Sequence, residues 1–330
     1  MREKIIEMLK KADGDFISGE DIAARLDVSR TAVWKHMKKL KEKGYHIISR
    51  ENRGYKLKEL PDLLLPENIL PELHTKIFAT DNSRMLYFDC TESTNKIAKK
   101  IAADGALEGT VIIAEEQTGG KGRLNRDFFS PKYEGILFSL ILRPNCLPKD
   151  APKFTLLAAV ALVRAMEKFN LHAGIKWPND IIFDGRKVVG ILTEMSAEIG
   201  RVNYIVIGIG INANITREEF PKNICNIATS LYEMNGNKKI SRINFFRAVL
   251  EECDKIYCEM IAEGFGKIFE LWRKYNITLG RDVKIISAES GESFFGKAID
   301  IDEDGALIVE VDGEQRKVYA GDVSLRVKNS

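Results

Sequence analysis

Apolar residues recur at helical spacing through the first part of the chain, and a period of two then takes over. Ser18 and Ser29, residues that favour helix starts, precede the second and third helical patterns. Two short apolar runs follow, with Arg53 in the turn between them. The pattern predicts three helices, at residues 2–12, 18–25 and 31–43, and a hairpin of strands at residues 45–49 and 54–57. This order is typical of a winged helix-turn-helix unit.

Residues 60–80 are interrupted by Pro61, Pro66 and Pro71, so we expect a short linker helix there and a domain boundary near Leu65. After it, short β-branched runs alternate with amphipathic segments. The predicted strands are residues 85–89, 110–114, 136–142, 173–176, 181–183, 187–194 and 204–209. The predicted helices are residues 96–103, 150–170 and 240–276, the last broken at Gly264.

Beyond Leu279 the period of two returns, with Asp-Gly turns at residues 304–305 and 312–313. The pattern predicts a β-barrel of roughly 50 residues. Its strands are expected at residues 282–287, 292–301, 306–311, 315–319 and 323–327. The chain as a whole is therefore predicted to be an α+β protein of three domains, at residues 1–64, 65–277 and 278–330.

The amino-acid composition favours a soluble globular protein over a secreted or membrane-spanning one. Of the 330 residues, 45% are hydrophobic and 30% charged, which is ordinary for a soluble globular protein. The five cysteines form no CxxC pair, and charged residues follow Met1 at once, so we expect no secretion signal and a cytoplasmic location. No apolar run approaches the roughly 20 residues that span a bilayer, so no membrane segment is expected.

Basic charge is concentrated near the N-terminus. The net charge is only +2, yet residues 30–58 carry 10 basic and 2 acidic residues, on the third helix and the hairpin. Such a surface suits the phosphates of DNA, so we expect an operator DNA as a partner. The alternative is a protein-interaction module with a solvated basic face. The predicted DNA-binding residues are Ser29, Arg30, Thr31, Lys35, Lys38 and Arg53.

Residues 115–131 form a long connection between two predicted strands, and such connections usually bind a ligand or are disordered. Three glycines let the backbone approach a ligand closely, while Lys121, Arg123 and Arg126 supply cationic donors. A polyanion is the expected ligand. The alternative is a mobile, solvated basic loop.

Three shorter stretches carry further candidate chemistry. Ser93 or Thr94 caps a helix and could also hydrogen-bond a ligand beside the helix start. Residues 176–180, Lys-Trp-Pro-Asn-Asp, form either a local turn or a grip on a phosphate, a ribose or hydrated Mg²⁺. Lys187 precedes an apolar strand, either as an exposed strand end or as a site residue.

Residues 208–213 formally fit the dinucleotide-binding pattern G-x-G-x-x-A after a strand. That interpretation requires a helix to open at the last position, whereas polar residues and Pro221 follow. Gly208 and Gly210 more simply allow a ligand to lie against the sheet.

Taken together, the motifs resemble those of the biotin protein ligase family. They are Ser-Thr-Asn at residues 93–95, E-x-Q-x-x-G-K-G-R at 115–123, K-W-P-N-D at 176–180, G-R-K-V-V-G-I-L at 185–192 and G-x-G-x-N at 208–212. With its N-terminal DNA reader, the chain resembles the members that are both biotin ligase and biotin operon repressor. The resemblance implies a central mixed-sheet domain like that of biotin and lipoyl ligases, and a C-terminal SH3-like barrel.

The resemblance also implies site residues. Biotin contacts are implied for Ser93, Thr94, Asn95, Gln117, Gly120, Arg123, Lys187, Gly190, Gly208 and Gly210. Nucleotide contacts are implied for Lys121, Arg123, Phe128, Lys176, Asn179, Asn212 and Arg326, although a surface salt bridge is the alternative for Arg326. The family loop usually reads Gly-Arg-Gly-Arg-x-Gly-Arg-x-Trp, so Lys121, Asn125 and Phe128 depart from it. Phe128 can still stack on adenine, and Lys121 keeps the charge without the arginine fork.

The implied reaction joins biotin to ATP, which requires Mg²⁺, and then transfers biotin to a lysine of the biotin carboxyl carrier domain of acetyl-CoA carboxylase or a related enzyme. The biotin carboxylate attacks the α-phosphorus, so two anions must meet. Lys187 and Arg123 are the predicted catalytic residues: Lys187 neutralises these charges, and Arg123 and the loop amides close over the adenylate. We expect no tightly bound cofactor and no protein metal site.

The implied regulation is a homodimer that forms when the adenylate is bound and places two N-terminal units on one palindromic operator of biotin synthesis or transport genes. Two alternatives remain open at this point. One is a DNA-binding biotin sensor without ligase activity. The other is a lipoyl or octanoyl ligase on the related fold, which residues 176–180 disfavour.

Overall fold

The computed structural model describes residues 1–42, 45–51, 53–59, 62–287, 293–319 and 321–325. The chain divides into two compact units, Met1–Leu63 and Leu64–Ser330. The first holds the predicted helices and hairpin, and the second holds the predicted ligand loop and the C-terminal strands.

The first unit is a winged helix-turn-helix, which confirms that prediction. Ser18 caps the second helix by accepting a hydrogen bond from the Asp21 amide at 2.9 Å. Ile17 pairs with Tyr55 in an isolated antiparallel β-bridge that the sequence pattern did not reveal. Gly54 permits this pairing because a Cβ there would lie 2.0 Å from the Ile17 carbonyl oxygen. The elements are α1 (Arg2–Lys11), α2 (Gly19–Leu26), α3 (Arg30–Glu42), β1 (His46–Arg50) and β2 (Gly54–Glu59).

The second unit is built around a mixed sheet. Its strands are β3 (Met85–Phe88), β4 (Val111–Ala114), β5 (Gly135–Leu142), β6 (Gly174–Lys176), β7 (Asp180–Phe183), β8 (Arg186–Glu198) and β9 (Arg201–Asn212). Its helices are α4 (Pro66–Ile69), α5 (Thr94–Ala103), α6 (Ala151–Glu167), α7 (Leu231–Met234), α8 (Arg242–Glu263) and α9 (Gly266–Tyr275). In the described part of the chain the strand order is β3-β4-β5-β9-β8-β7-β6, with β3 parallel to β4 and the other neighbours antiparallel.

Side chains alternate between the two faces of this sheet along each strand, and a different set of helices covers each face. Isoleucines of β9 such as Ile207 join the main core with α6 and α8, where Phe138 and Phe246 pack with ring centroids 4.9 Å apart. Val206 points to the opposite face and packs against α5. Gly208 and Gly210 continue that second face, so bare backbone is left beside the start of α5.

The C-terminal strands form a separate antiparallel sheet, as the period of two predicted. They are β10 (Asp282–Ser287), β11 (Ser293–Ile301), β12 (Leu307–Val311), β13 (Glu314–Val318) and β14 (Gly321–Leu325). Their order within the described residues is β13-β12-β11-β10-β14. Arg326 lies outside the described residues, so its predicted nucleotide contact has no structural counterpart here.

Several local expectations are corrected by the structure. α5 begins at Thr94, two residues before the predicted start, and Lys187 is the second residue of β8 rather than the first. The dinucleotide-binding alternative is wrong, because β9 continues through both glycines, with Gly210 paired to Gly190, and no helix opens there. The predicted break at Gly264 is confirmed, with φ at +78°. Among the described residues, no helix is long and apolar enough to cross a membrane.

Candidate active site

A small cavity lies on the α5 face of the mixed sheet, where β8 and β9 carry glycines. It holds about 40 Å³ and brings together most of the predicted ligand residues. Its lining includes Ser93, Thr94, Asn95, Gln117, Lys121, Phe128, Asn179, Lys187, Gly190, Gly208 and Gly210. The cavity exists at this point because glycines occupy positions 190, 208 and 210, where larger side chains would fill the space.

The first wall of the cavity is a buried polar network at the start of α5. The Gln117 side-chain oxygen accepts hydrogen bonds from the Thr94 amide at 2.7 Å and the Thr94 hydroxyl at 3.1 Å. The Ser139 hydroxyl lies 2.7 Å from Thr94 Oγ1 and 2.6 Å from Asn95 Oδ1. Asn95 in turn donates to Glu194 Oε2 at 2.8 Å. Ser93 is the N-cap residue but its side chain makes no capping hydrogen bond, so only its position at the helix start is confirmed.

The floor of the cavity consists of glycines approached by side chains. A Cβ at Gly208 would lie 2.0 Å from Asn95 Oδ1, and one at Gly210 would lie 2.4 Å from the Phe128 ring. A Cβ at Gly190 would lie 3.0 Å from Lys187 Nζ. Gly208 and Gly210 therefore exclude any larger residue while their neighbours stay in place, whereas a Cβ at Gly190 would require only a small shift of the Lys187 and Phe128 side chains.

The predicted ligand loop folds back on itself in the structure. The Phe128 amide donates to the Gly120 carbonyl at 3.0 Å, and Lys121 forms an ion pair with Asp127 at 2.6 Å. At the end of the loop Lys132 donates to Asp89 at 2.6 Å, and this hydrogen bond raises the pKa of Lys132 above its ordinary range. The loop is thus closed at its base, and its Phe128 ring enters the cavity.

Lys187 lies beside the glycine floor with its charge compensated. Its Nζ is 2.6 Å from Asp180 Oδ1 and 6.0 Å from the centroid of the Phe128 ring. Asn179, one residue earlier than Asp180, donates from its side chain to the Ile191 carbonyl at 2.8 Å. The Lys-Trp-Pro-Asn-Asp stretch is therefore both a turn between β6 and β7 and a support for the cavity wall.

The C-terminal sheet reaches this region at two points. The Arg123 guanidinium donates to the Gly321 carbonyl at 3.1 Å and approaches Asn179 Oδ1 at 3.5 Å. Trp177 is buried and donates from its indole to the Gly305 carbonyl at 3.1 Å. The ligand loop and the Lys-Trp-Pro-Asn-Asp turn are consequently both fixed by C-terminal backbone.

Of the predicted ligand residues that the structure describes, four lie outside the small cavity. Gly120 is buried next to Gln117, and Arg123 lines a neighbouring cavity of about 310 Å³. Lys176 faces a wide groove lined also by α9 and β11 residues. The Asn212 amide donates to the Thr229 carbonyl at 2.9 Å. The structure does not place these residues against the glycine floor.

Sequence reasoning did not assign a role to Ser139 or Glu194, and it considered Asp180 as part of a turn or of a grip on a phosphate, a ribose or hydrated Mg²⁺, not as a partner of Lys187. Ser139 interrupts the apolar strand β5 and is fully buried. A buried serine in an apolar strand requires a hydrogen-bond partner, so the pattern did contain a signal for this residue. Asp180 had no comparable signal, because its approach to Lys187 depends on the pairing of β7 with β8.

The predicted DNA-binding residues lie on one unit and are all exposed. They are Ser29, Arg30, Thr31, Lys35, Lys38 and Arg53. Arg53 at the hairpin turn is held over the Phe16 ring, with its guanidinium carbon 4.9 Å from the centroid, and Arg50 lies 5.4 Å from the same centroid. Both hairpin cations therefore lie within cation–π distance of one ring.

Comparisons with known proteins agree with this geometry. A model of the biotin/lipoate A/B protein ligase family matches residues 87–212, an HTH domain matches residues 1–56, and a biotin protein ligase C-terminal domain matches residues 278–326. The chain is 39% identical over 326 residues to the bifunctional ligase/repressor BirA of Bacillus subtilis, covering 98% of both chains. This chain belongs to the bifunctional ligase/repressor family. The predicted family is thereby confirmed.

Two further relatives support membership in this family. The bifunctional ligase/repressor BirA of Escherichia coli is 30% identical over 326 residues, covering 98% of this chain and 96% of that protein. The biotin protein ligase from Aquifex aeolicus, solved in complex with biotin and ATP, superposes with a TM-score of 0.63 at 26% identity. That superposition covers 74% of this chain and 98% of the Aquifex chain.

Proposed function

We propose that this chain forms biotinyl-5′-AMP from biotin and ATP and transfers the biotinyl group to a lysine of a biotin carboxyl carrier domain, and that the adenylate also makes it a DNA-binding repressor. The observation that carries the proposal is the position of Lys187. The Lys187 ammonium lies next to the glycine floor and the buried hydrogen-bonding wall of the cavity. This chain also belongs to the ligase/repressor family.

The polar wall suits the ureido ring of biotin. The Thr94 hydroxyl donates its one proton to Gln117 Oε1, so its oxygen acts only as an acceptor, and the Ser139 hydroxyl lies within donating distance of both Thr94 Oγ1 and Asn95 Oδ1. Thr94 then offers lone pairs to a ureido N–H. Gln117 uses its oxygen on Thr94, which leaves its amide nitrogen to donate to a carbonyl. The glycine floor allows the ring to lie flat against β8 and β9.

Phe128 must move for biotin to enter. Ligand sites generally measure about 300 Å³ or more, whereas this cavity holds about 40 Å³ because the Phe128 ring rests on Gly190 and Gly210. Outward motion of the ring would open the floor for biotin. It would also free Phe128 to stack on the adenine base.

In the first step, a biotin carboxylate oxygen attacks the α-phosphorus of ATP, and the bond to the β-phosphate oxygen breaks as pyrophosphate leaves. Lys187 stabilises the charge that gathers where the two anions meet, while Asp180 orients its ammonium. In the second step, the neutral amine of the acceptor lysine attacks the anhydride carbonyl, AMP leaves, and the amine loses a proton. Closure of the loop over the adenylate excludes water in the interval.

The nucleotide would lie between the ligand loop and the Lys-Trp-Pro-Asn-Asp turn. Lys121 and Arg123 supply cations there, and Arg123 could exchange the Gly321 carbonyl for a phosphate oxygen. We also assign Lys176, Asn179, Asn212 and Arg326 to this ligand as a proposal. Mg²⁺ would be carried chiefly by the nucleotide phosphates, the usual arrangement for nucleotide-bound Mg²⁺.

A biotin-dependent exchange of labelled pyrophosphate into ATP tests the ligase function directly. Exchange that requires biotin supports it, and its complete absence with a folded protein would identify a sensor without activity. Lipoate and octanoate serve as competitors in the same assay. Exchange driven by either of them in place of biotin would contradict the assigned substrate.

Repression requires two DNA-binding units, because one short recognition helix contacts too few base pairs to select an operator. We therefore propose that biotinyl-5′-AMP promotes dimerisation. Sedimentation with and without biotin and ATP, paired with binding to the DNA upstream of the gene, tests this step. A monomer that binds this DNA equally well in both conditions would contradict it and leave the ligase proposal intact.

A further inference from the structure

Trp34 is a large aromatic side chain that lies in water on the surface of α3. It is 55% exposed, whereas the other two tryptophans, Trp177 and Trp272, are 2% and 0% exposed. Exposure of an indole costs free energy relative to burial, and tryptophan at a surface commonly marks an interaction site. The same helix buries Val33 and Met37 on its inner side, so its packing does not require an outward aromatic ring.

The neighbours of Trp34 indicate what kind of partner it contacts. Arg30, Trp34 and Lys38 follow one another at intervals of four and form one row on the helix, with Lys35 beside them. The Lys38 ammonium lies 6.0 Å from the centroid of the Trp34 ring. The indole thus lies in a row of exposed cations, with one of them near its ring. This arrangement suits a polyanion that also offers an apolar group.

The major groove of double-stranded DNA offers both features, since anionic phosphates border it and apolar thymine methyl groups lie within it. Lysines bind phosphates and orient a protein on the duplex, but they do not distinguish one sequence from another. Sequence is read at the base edges, where the C5-methyl group of thymine is the apolar feature. In a helix-turn-helix, the N-terminal half of the second helix reaches these edges, and Trp34 lies in that half of α3.

We propose that Trp34 is a specificity-determining residue that packs against the C5-methyl group of a thymine in each half-site. The inference rests on the DNA-binding function proposed above and adds the base that is read. The cations around Trp34 supply affinity for any duplex, and the indole supplies a preference for a thymine at one position.

The test begins with selection of duplexes from a randomised pool by the wild-type chain in the presence of biotin and ATP. A selected duplex is then synthesised with uracil in place of thymine, which removes only the methyl groups. Wild-type affinity should fall about fourfold for each methyl group that Trp34 contacts. The Trp34→Ala chain should bind the thymine duplex at least about tenfold more weakly and should lose the preference for thymine over uracil.

Lys38→Ala is the matched control, because it removes an exposed cation from the same row of α3. It should weaken binding to all duplexes and lower the salt dependence, yet keep the wild-type preference for thymine over uracil. Equal preference in the wild-type and Trp34→Ala chains would overturn the inference while the DNA-binding function stands. A wild-type chain that selects no duplex would overturn both proposals.

Tryptophan fluorescence separates DNA from a protein partner. Since Trp177 and Trp272 are buried, acrylamide quenching reports chiefly on Trp34. Protection that appears only when the selected duplex is added supports the inference. Protection by biotin and ATP alone would show that a second subunit covers the ring, and would overturn it. Unchanged circular dichroism and thermal unfolding of Trp34→Ala establish that the variant is folded.

Discussion

Replacement of Gly208 by alanine should damage both the stability and the activity of the ligase unit. The added Cβ would lie 2.0 Å from Asn95 Oδ1, so the Asn95 side chain must move by about 1.4 Å to reach an ordinary contact of 3.4 Å. That movement lengthens its hydrogen bonds with Ser139, Glu194 and the Leu192 carbonyl, which now measure 2.6, 2.8 and 3.3 Å.

The size of the effect follows from those three contacts. A neutral hydrogen bond contributes about 1 kcal/mol and one to a carboxylate about 1.5–3 kcal/mol. Their loss predicts about 3–5 kcal/mol less stability of the second unit, measured by urea unfolding. Because Asn95 and Thr94 open α5 together, the binding wall shifts by about 1 Å, which should lower kcat/KM for biotin about 100-fold in pyrophosphate exchange.

Gly122→Ala is the matched control for Gly208→Ala. It lies in the ligand loop, yet its Cβ would meet only the Arg126 carbonyl oxygen at 3.7 Å, so a change in stability within about 0.5 kcal/mol is expected. The effect of the collision can also be measured separately in an Asn95→Ala background. There Gly208→Ala should lower the stability of the second unit only slightly, because the Asn95 amide that the new Cβ would meet is absent. Normal urea unfolding and exchange by Gly208→Ala alone would refute the argument.

Three other substitutions test separate parts of the molecule. Lys187→Ala should slow adenylate formation about 100-fold or more without unfolding the chain. Replacement of the exposed Lys96 by alanine is the control and should leave the rate of adenylate formation unchanged. Near-normal pyrophosphate exchange by Lys187→Ala would contradict the role assigned to Lys187. Arg123→Gly removes the contact with the Gly321 carbonyl and should release biotinyl-5′-AMP faster, seen as labelling of added lysine-rich protein; retention of the adenylate equal to that of the wild type would contradict closure of the loop. Phe16→Ala frees the hairpin arginines and should weaken DNA binding severalfold in a mobility-shift assay while biotin-dependent exchange stays unchanged; unaltered DNA binding would show that the ring does not orient them.

The local pattern of the sequence determined most of the elements of this protein. Helical spacing and the serine caps located α2 and α3, and the period of two located β10 to β14. The family motifs indicated the candidate ligand residues, and the structure gathers many of them, such as Thr94, Gln117 and Lys187, around one cavity. These features were accessible because each depends on residues close to one another in the chain.

Only the tertiary structure decided how these residues meet. The Lys187–Asp180 pair depends on the pairing of β7 with β8, and the position of Ser139 beneath Asn95 joins residues 44 positions apart. The entry of Phe128 into the cavity was also inaccessible from the sequence, because a side chain fills whatever space its packed neighbours leave. Periodicity reports which face of an element is apolar; it does not report which distant polar atom will lie against it, since that depends on strand pairing across the whole sheet.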